Sequence, residues 1–110
     1  MKAYKIGISH EAKEHMRQIS TYISHQLKAP QAAKNVRSDL RDAMDSLRTM
    51  PERIPFSRDP LLIKRGLHCM VVRKYLVYFQ IDEAARRVIV LAVIYGKRDQ
   101  AAKMETIIED

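Results

Sequence analysis

The sequence contains little that would connect it with a metal, a cofactor or a disulfide framework. Its 110 residues include one cysteine, three glycines and no tryptophan. A lone cysteine excludes an internal disulfide, and Cys69 is interpreted as a small buried apolar side chain in a reducing compartment. The sequence has no Cys/His cluster, no glycine-rich phosphate loop and no Ser-His-Asp set, so we expect neither a metal nor a cofactor.

Long hydrophobic runs are also missing. The longest, Val88 to Tyr95, has eight residues, whereas a membrane-spanning helix needs about 20. The first residues, Met1 to Lys5, lead into no apolar signal-peptide core. We therefore expect a cytoplasmic protein that makes no membrane contact.

Positive charge is in excess, with a formal net charge of +7. The basic side chains concentrate near the ends of the predicted strands, as in Arg86-Arg87 and Lys97-Arg98, while residues 99–110 lean acidic. A basic protein of this kind favours an acidic partner, either nucleic acid or an acidic protein segment.

The first half of the sequence predicts one strand and two helices. Tyr4 to Ile8 alternates and is short, which predicts an edge or opening strand. Ser9 is placed to cap a helix, and apolar residues then recur every three or four positions along 12–27 and again along 33–47. Pro30 separates the two periodic stretches, so they form an antiparallel helical hairpin.

The second half predicts a long ordered loop over residues 51–62, which contain three prolines, and then a three-stranded antiparallel meander. A short helix is expected over Gln100 to Ile108. The fold class is therefore α+β, a single domain over residues 1–110 in the order β-α-α-β-β-β. Its helical hairpin packs on a mainly antiparallel four-stranded sheet, followed by the short C-terminal helix.

The last predicted strand is apolar on both faces, unlike a half-exposed strand. Strict alternation places one set of four side chains on one face and the remaining four on the other: Val88, Val90, Ala92 and Ile94 against Ile89, Leu91, Val93 and Tyr95. The hairpin covers only one face. The other is covered either by the C-terminal helix or by a segment of a partner protein.

This order of elements resembles the RelE/ParE superfamily of bacterial toxins. The resemblance is carried by the opening strand with the helix start, by a helix face, by a meander strand and by the end of the last strand: Tyr4–Ser9 with Glu11–Glu14, Ile19–Ile23, Tyr75–Asp82 and Val93–Asp99. It implies the growth-inhibiting toxin of a type II toxin–antitoxin pair, of the kind linked to plasmid stabilisation. It also implies a cognate antitoxin that neutralises the toxin and alone binds operator DNA.

The superfamily has two branches, and the resemblance favours the ParE side. RelE-like toxins cleave messenger RNA on the ribosome. Where their pattern has two lysines, an arginine and a tyrosine, this sequence has Cys69 and Val71, Leu76, and Met104. Only the arginine after the last strand is kept, as Arg98. ParE-like toxins instead inhibit DNA gyrase. Gyrase inhibition is therefore expected; the alternatives are a ribosome-dependent mRNA endonuclease and a non-toxic basic module that binds nucleic acid.

The candidate site residues follow from these readings. In the endonuclease alternative the catalytic candidates are Arg98, Tyr95 and His68, although His68 and Tyr95 each have a structural interpretation as well. The cations expected to contact the target are Arg65, Arg73, Lys74, Lys97 and Arg98. The side chains expected to contact the antitoxin are Leu67, Met70, Val72, Leu91, Val93 and Tyr95.

Overall fold

The computed structural model describes residues 3–96 and confirms the predicted α+β class. The expected helix over residues 100–108 lies outside the described residues. In chain order the main elements are β1 (Lys5–Ile8), α1 (His10–Thr21) continuing into a π-helical turn (Tyr22–Gln26), α2 (Pro30–Asp45), α3 (Pro60–Lys64), β2 (His68–Val72), β3 (Tyr75–Asp82) and β4 (Arg87–Tyr95).

The four strands form one sheet in the order β1-β4-β3-β2. The β2–β3 and β3–β4 pairs are antiparallel, and β1 lies parallel to β4. The helical hairpin is the crossover that a parallel pair requires. β1 and β2 are therefore the two edges of the sheet.

The helical hairpin begins and ends as the sequence predicts, with one addition. The Ser9 hydroxyl accepts a hydrogen bond from the Ala12 amide at 3.1 Å, which caps α1. At the far end α1 widens into the π-helical turn, where the Leu27 amide donates to the Tyr22 carbonyl. Lys28 then takes a left-handed conformation with φ of 52°, which ends the helix ahead of Pro30.

The main core lies between the hairpin and one face of the sheet. Helix α2 contributes the apolar side chains of its inward face, and they meet large apolar side chains from the central strands β3 and β4. The most deeply buried members are Ala12, Leu40, Met44, Leu47, Val77, Phe79, Val88, Val90 and Val93.

The predicted alternation along β4 is wrong beyond Val90, because β4 contains a bulge. Phe79 pairs with Val90, but the preceding residue Tyr78 pairs with Ala92, so Leu91 is an extra residue between the two pairs. The bulge exchanges the faces of the residues that follow it. Val93 consequently joins the helix-side core, while Ala92 packs on the opposite face.

That opposite face is covered in part by a segment that the sequence analysis assigned to a loop. The Asp59 carboxylate accepts from the Leu61 amide at 2.9 Å and caps the short helix α3. Leu62 of α3 and Leu67 just before β2 are fully buried against Tyr78 and Ala92. Part of the second face is thus closed by α3, a cover that was not predicted from the sequence.

Candidate functional site

His68, a catalytic candidate from sequence, is held in a structural position. Its Nδ1 lies 2.7 Å from the carbonyl oxygen of Ile54, to which the ring N–H donates. The ring is stacked between Phe56 and Phe79, with centroid distances of 4.2 and 5.1 Å. Only 6% of the residue is exposed. His68 therefore connects the loop before α3 to the sheet and presents no open face to a substrate.

The neighbouring titratable pair of the meander is also closed in. Cys69 and Tyr78 are cross-strand partners on the second face of the sheet. Burial raises the pKa of the Cys69 thiol. Burial also raises the pKa of the Tyr78 hydroxyl, and the neighbouring thiol adds to that shift. Both groups therefore keep their protons at neutral pH and pack as neutral side chains.

The six side chains expected to contact the antitoxin do not form one surface. Leu67, Met70 and Val93 are buried in the protein's own cores, so a partner has no access to them in this fold. The bulge turns Val93 inward, and α3 closes over Leu67. The accessible members are Val72 and Leu91, which are partly buried, and Tyr95, which is exposed.

The cations expected to contact the target lie at two ends of the sheet. Arg73 and Lys74 form the β2–β3 turn, and the Nε of Arg73 donates to Asp39 of α2 at 2.5 Å. The Gly96 amide donates to the Lys74 carbonyl at 2.6 Å, which fixes the end of β4 beside this turn. Arg65 lies towards the opposite end, where its carbonyl accepts from Gln80. Lys97 and Arg98 lie outside the described residues.

A groove that the sequence analysis did not identify runs between β1 and the helical hairpin. It has a volume of about 650 Å³. Its apolar lining comes from β1 and from the inward faces of the two helices, while its basic side chains come from α1, α2 and the turn that follows α2. The apolar residues are Ile6, Ile8, Met16 and Met44, the cations are Lys13, Arg17, Arg37, Arg41 and Arg48, and the acid is Asp45.

The charges of this groove, which we call the β1 groove, are only partly compensated. Arg17 pairs with Glu14, and Arg48 pairs with Asp45, both between exposed side chains. Within residues 3–96, by contrast, Lys13, Arg37 and Arg41 make no ion pair. The groove therefore keeps a positive potential that attracts an acidic ligand.

One wall of the β1 groove is the open edge of the sheet. The Lys5 amide donates to the carbonyl of Arg86, just before β4, and the Ser9 amide donates to the carbonyl of Val90 in β4, each at 2.9 Å. In a parallel pair, alternate residues direct both their N–H and their C=O towards the same neighbour. The peptide groups of Ile6 and Ile8 consequently point away from β4 and into the groove.

His15 fills the place beside β4 where β1 has already ended. Its Nδ1 accepts a hydrogen bond from the Val93 amide at 3.2 Å, just after the bulge. The accepting nitrogen must be unprotonated. Burial lowers the pKa of His15, and the nearby carboxylates of Glu11 and Glu14 oppose that shift. The neutral imidazole is thus part of the contact between α1 and the sheet.

Two functional classes find no support in the part of the chain that the structure describes. Across residues 3–96, no three His, Cys, Asp or Glu side chains are grouped so that they could hold a metal ion. In the same range, no helix has the length and apolar character needed to cross a membrane.

Comparison with known proteins places this architecture in a family. Residues 6–100 match the family model described as the ParE toxin of the type II toxin–antitoxin system parDE. The structure is similar to that of the chromosomal ParDE toxin–antitoxin system of Pseudomonas aeruginosa, with a TM-score of 0.70 at 12% identity, covering 86% of this chain and 98% of that one. No curated protein sequence gives a significant match.

Two solved structures from the RelE branch are also similar. The RelBE2 toxin–antitoxin complex of Mycobacterium tuberculosis gives a TM-score of 0.61 at 18% identity, covering 88% of this chain and 97% of that one. A double mutant of Escherichia coli RelE in the free state gives 0.62 at 15% identity, covering 92% of each chain. These likenesses concern the fold. Because the family match spans nearly the whole sequence, the chain belongs to the ParE toxin family of type II toxin–antitoxin systems, within the RelE/ParE superfamily.

Proposed function

We propose that this toxin acts by inhibiting DNA gyrase, not by cleaving messenger RNA, and that an antitoxin neutralises it by occupying the β1 groove. The proposal of gyrase inhibition rests on the surroundings of three side chains in the meander strands β2 and β3. His68, Cys69 and Tyr78 are held in structural contacts, which suits a protein that binds its target without chemistry.

Cleavage of RNA through the ribose 2′-hydroxyl needs a base, an acid for the leaving oxygen, and cations around the phosphate. His68 is stacked between two phenylalanines and donates to a backbone carbonyl. Burial raises the pKa of both Cys69 and Tyr78. None of these three side chains is placed to exchange a proton with a substrate.

The positions where the RelE pattern has cations support the same reading. Cys69 and Leu76 pack in the apolar cluster on the second face of the sheet. Val71, on the edge strand β2, is 69% exposed and apolar. These three side chains supply no charge to stabilise a phosphorane-like transition state, whereas a docking surface does not require one.

The antitoxin proposal rests on three properties of the β1 groove. The outward peptide groups of Ile6 and Ile8 can pair with an added strand, as in other cases of strand addition to a sheet edge. The apolar lining accepts alternate apolar side chains. The cations Lys13, Arg37 and Arg41 attract carboxylates. An extended segment that alternates apolar and acidic residues fits all three.

The target is tested by assaying the purified toxin in a gyrase supercoiling reaction and in a ribosome-dependent mRNA cleavage reaction. We expect loss of supercoiling activity and intact mRNA. The Arg98→Ala variant separates the alternatives, because Arg98 is the one position that matches the RelE pattern. Cleavage of mRNA that this variant abolishes, with supercoiling unaffected by the wild-type toxin, would overturn the gyrase proposal.

A further inference from the structure

Tyr75 and Tyr95 are in ring contact at one end of the sheet, and Tyr22 of the helical hairpin lies near enough to Tyr75 to contribute to the rise in its pKa. Tyr75 begins β3 and Tyr95 ends β4, and the two are cross-strand partners with ring centroids 5.8 Å apart and ring planes 59° apart. Tyr22 begins the π-helical turn that follows α1. We call these three residues the tyrosine surface. Tyr22 is 56% exposed and Tyr95 is 42% exposed, so two of the three rings have solvent-accessible faces.

The tyrosine surface is held by the fold. Tyr75 packs against the helix-side core, and its pKa is raised by burial first and then by repulsion from Tyr95 and, more weakly, Tyr22. Next to Tyr22, the buried Ile23 anchors the π-helical turn to the core. Both exposed rings are therefore presented from backbone that is fixed before any ligand arrives, which reduces the entropy lost on binding.

Basic groups adjoin these rings. Arg73 and Lys74 precede Tyr75 in the β2–β3 turn, and the Gly96 amide bonds to the Lys74 carbonyl. Arg73 is paired with Asp39, but Lys74 is exposed. Aromatic rings next to cations are the combination that binds single-stranded nucleic acid, with rings stacking on bases and cations near phosphates.

We propose that the tyrosine surface binds unpaired bases of single-stranded nucleic acid, with Tyr22 and Tyr95 stacking on bases, Tyr75 positioning Tyr95, and Lys74 contacting the phosphates. Bases in a duplex are stacked on one another and offer no face to a side chain, so the surface prefers a single strand. This property extends the proposed inhibition of gyrase and does not depend on it.

The test measures fluorescence anisotropy of a labelled oligothymidine of about twelve nucleotides, a length within the usual site size of such proteins, and of a duplex of the same length. We expect the single strand to bind at least about tenfold more tightly than the duplex at equal salt. Tyr22→Leu and Tyr95→Leu should each weaken single-strand binding about tenfold, since each removes one stacked base.

Two controls isolate stacking. Tyr95→Phe keeps the ring and loses only the hydroxyl, so it should bind like the wild type. Leu27→Ala removes an exposed apolar side chain without a ring and should also leave binding unchanged. Should a leucine variant fail to fold, Tyr22→Trp provides an independent measurement, because the larger ring is expected to tighten binding.

Several outcomes overturn the proposal. Equal affinity for single strand and duplex, with unchanged leucine variants, would reduce the interaction to general electrostatic attraction. Leucine variants that bind the oligonucleotide normally but lose gyrase inhibition would show that the tyrosines contact a protein. A wild-type toxin that inhibits gyrase without binding the oligonucleotide refutes this proposal alone, whereas oligonucleotide binding without gyrase inhibition refutes the proposed target alone.

Discussion

Replacing His68 by alanine distinguishes a structural histidine from a catalytic one. In the fold described above, the ring donates to the Ile54 carbonyl and is stacked between Phe56 and Phe79. The substitution removes the donor and leaves the carbonyl without its partner in a partly buried site. It also removes both ring contacts. We therefore expect the main effect of His68→Ala to be on the free energy of unfolding.

The size of the effect follows from these contacts. An unsatisfied buried carbonyl costs about 1–3 kcal/mol, and each stacked ring pair contributes about 0.5–1.5 kcal/mol. One carbonyl and two ring pairs together give about 2–6 kcal/mol, and because the hydrogen bond is only part-buried, we expect a loss in the lower half of that range, about 3 kcal/mol, in the free energy of unfolding. At about 4 °C or more per kcal/mol for a domain of this size, the melting temperature should fall by at least about 12 °C.

The assay is urea and thermal unfolding, followed by circular dichroism, with two companion variants. His68→Gln keeps an N–H donor for the Ile54 carbonyl and should recover part of the loss. His25→Ala changes an exposed histidine on the π-helical turn and should leave stability unchanged. If His68→Ala unfolds like the wild type yet abolishes toxicity in growth assays, the histidine acts chemically and the structural reasoning is refuted.

Three further predictions concern the groove, the pH response and the second face. Arg37→Glu combined with Arg41→Glu should weaken antitoxin binding by tenfold or more and reduce its dependence on salt concentration. The control Lys64→Glu, on α3, should change neither. Unchanged binding of the double variant in isothermal titration calorimetry would refute the groove as the docking site. Burial lowers the pKa of His15 in the folded protein, so the unfolded chain binds the proton more readily. The free energy of unfolding should therefore fall as the pH drops below about 6.5, the ordinary pKa of histidine. It should level off once the pH is below the lowered pKa of the folded state. The same titration with His15→Gln, which keeps an acceptor but no titratable group, should lose that component; an unaltered pH profile would contradict it. Leu62→Ala should lower the free energy of unfolding, measured in urea, by about 2–5 kcal/mol because α3 closes the second face. A loss of less than about 1 kcal/mol would show that α3 does not close it.

The helices and strands could be predicted because each carries a local signal. Apolar residues at spacings of three and four define α1 and α2, and Ser9 and Pro30 mark where each begins. The bulge at Leu91 gives no such signal. Register is normally specified by an apolar face opposite a polar one, but β4 is apolar on both, so alternation alone could not show that the two faces exchange after Val90.

The candidate site was harder to predict because its parts are distant in sequence. The β1 groove combines the edge of β1 with side chains as far along the chain as Arg48. A partial signal was present in the spacing of Lys13 with Arg17 and of Arg37 with Arg41, since residues four apart share a helix face. The sequence predicted an edge or opening strand over Tyr4 to Ile8, and β1 is an edge strand; what it could not supply was the strand that β1 pairs with. Only the placement of β1 at the edge leaves Ile6 and Ile8 with outward peptide groups.

The positions of the two proposed sites bear on how neutralisation could work. The β1 groove is lined at one end by Ser20 and Thr21, and Thr21 directly precedes Tyr22 of the tyrosine surface. At about 100° of rotation per helical residue, however, Tyr22 lies about 180° from Lys13 and about 140° from Arg17, on the other side of α1 from the groove. Under the two proposals, an antitoxin segment in the β1 groove therefore leaves the ring of Tyr22 uncovered. Strand addition at β1 and base stacking at Tyr22 use separate surfaces, so the first can occur without blocking the second.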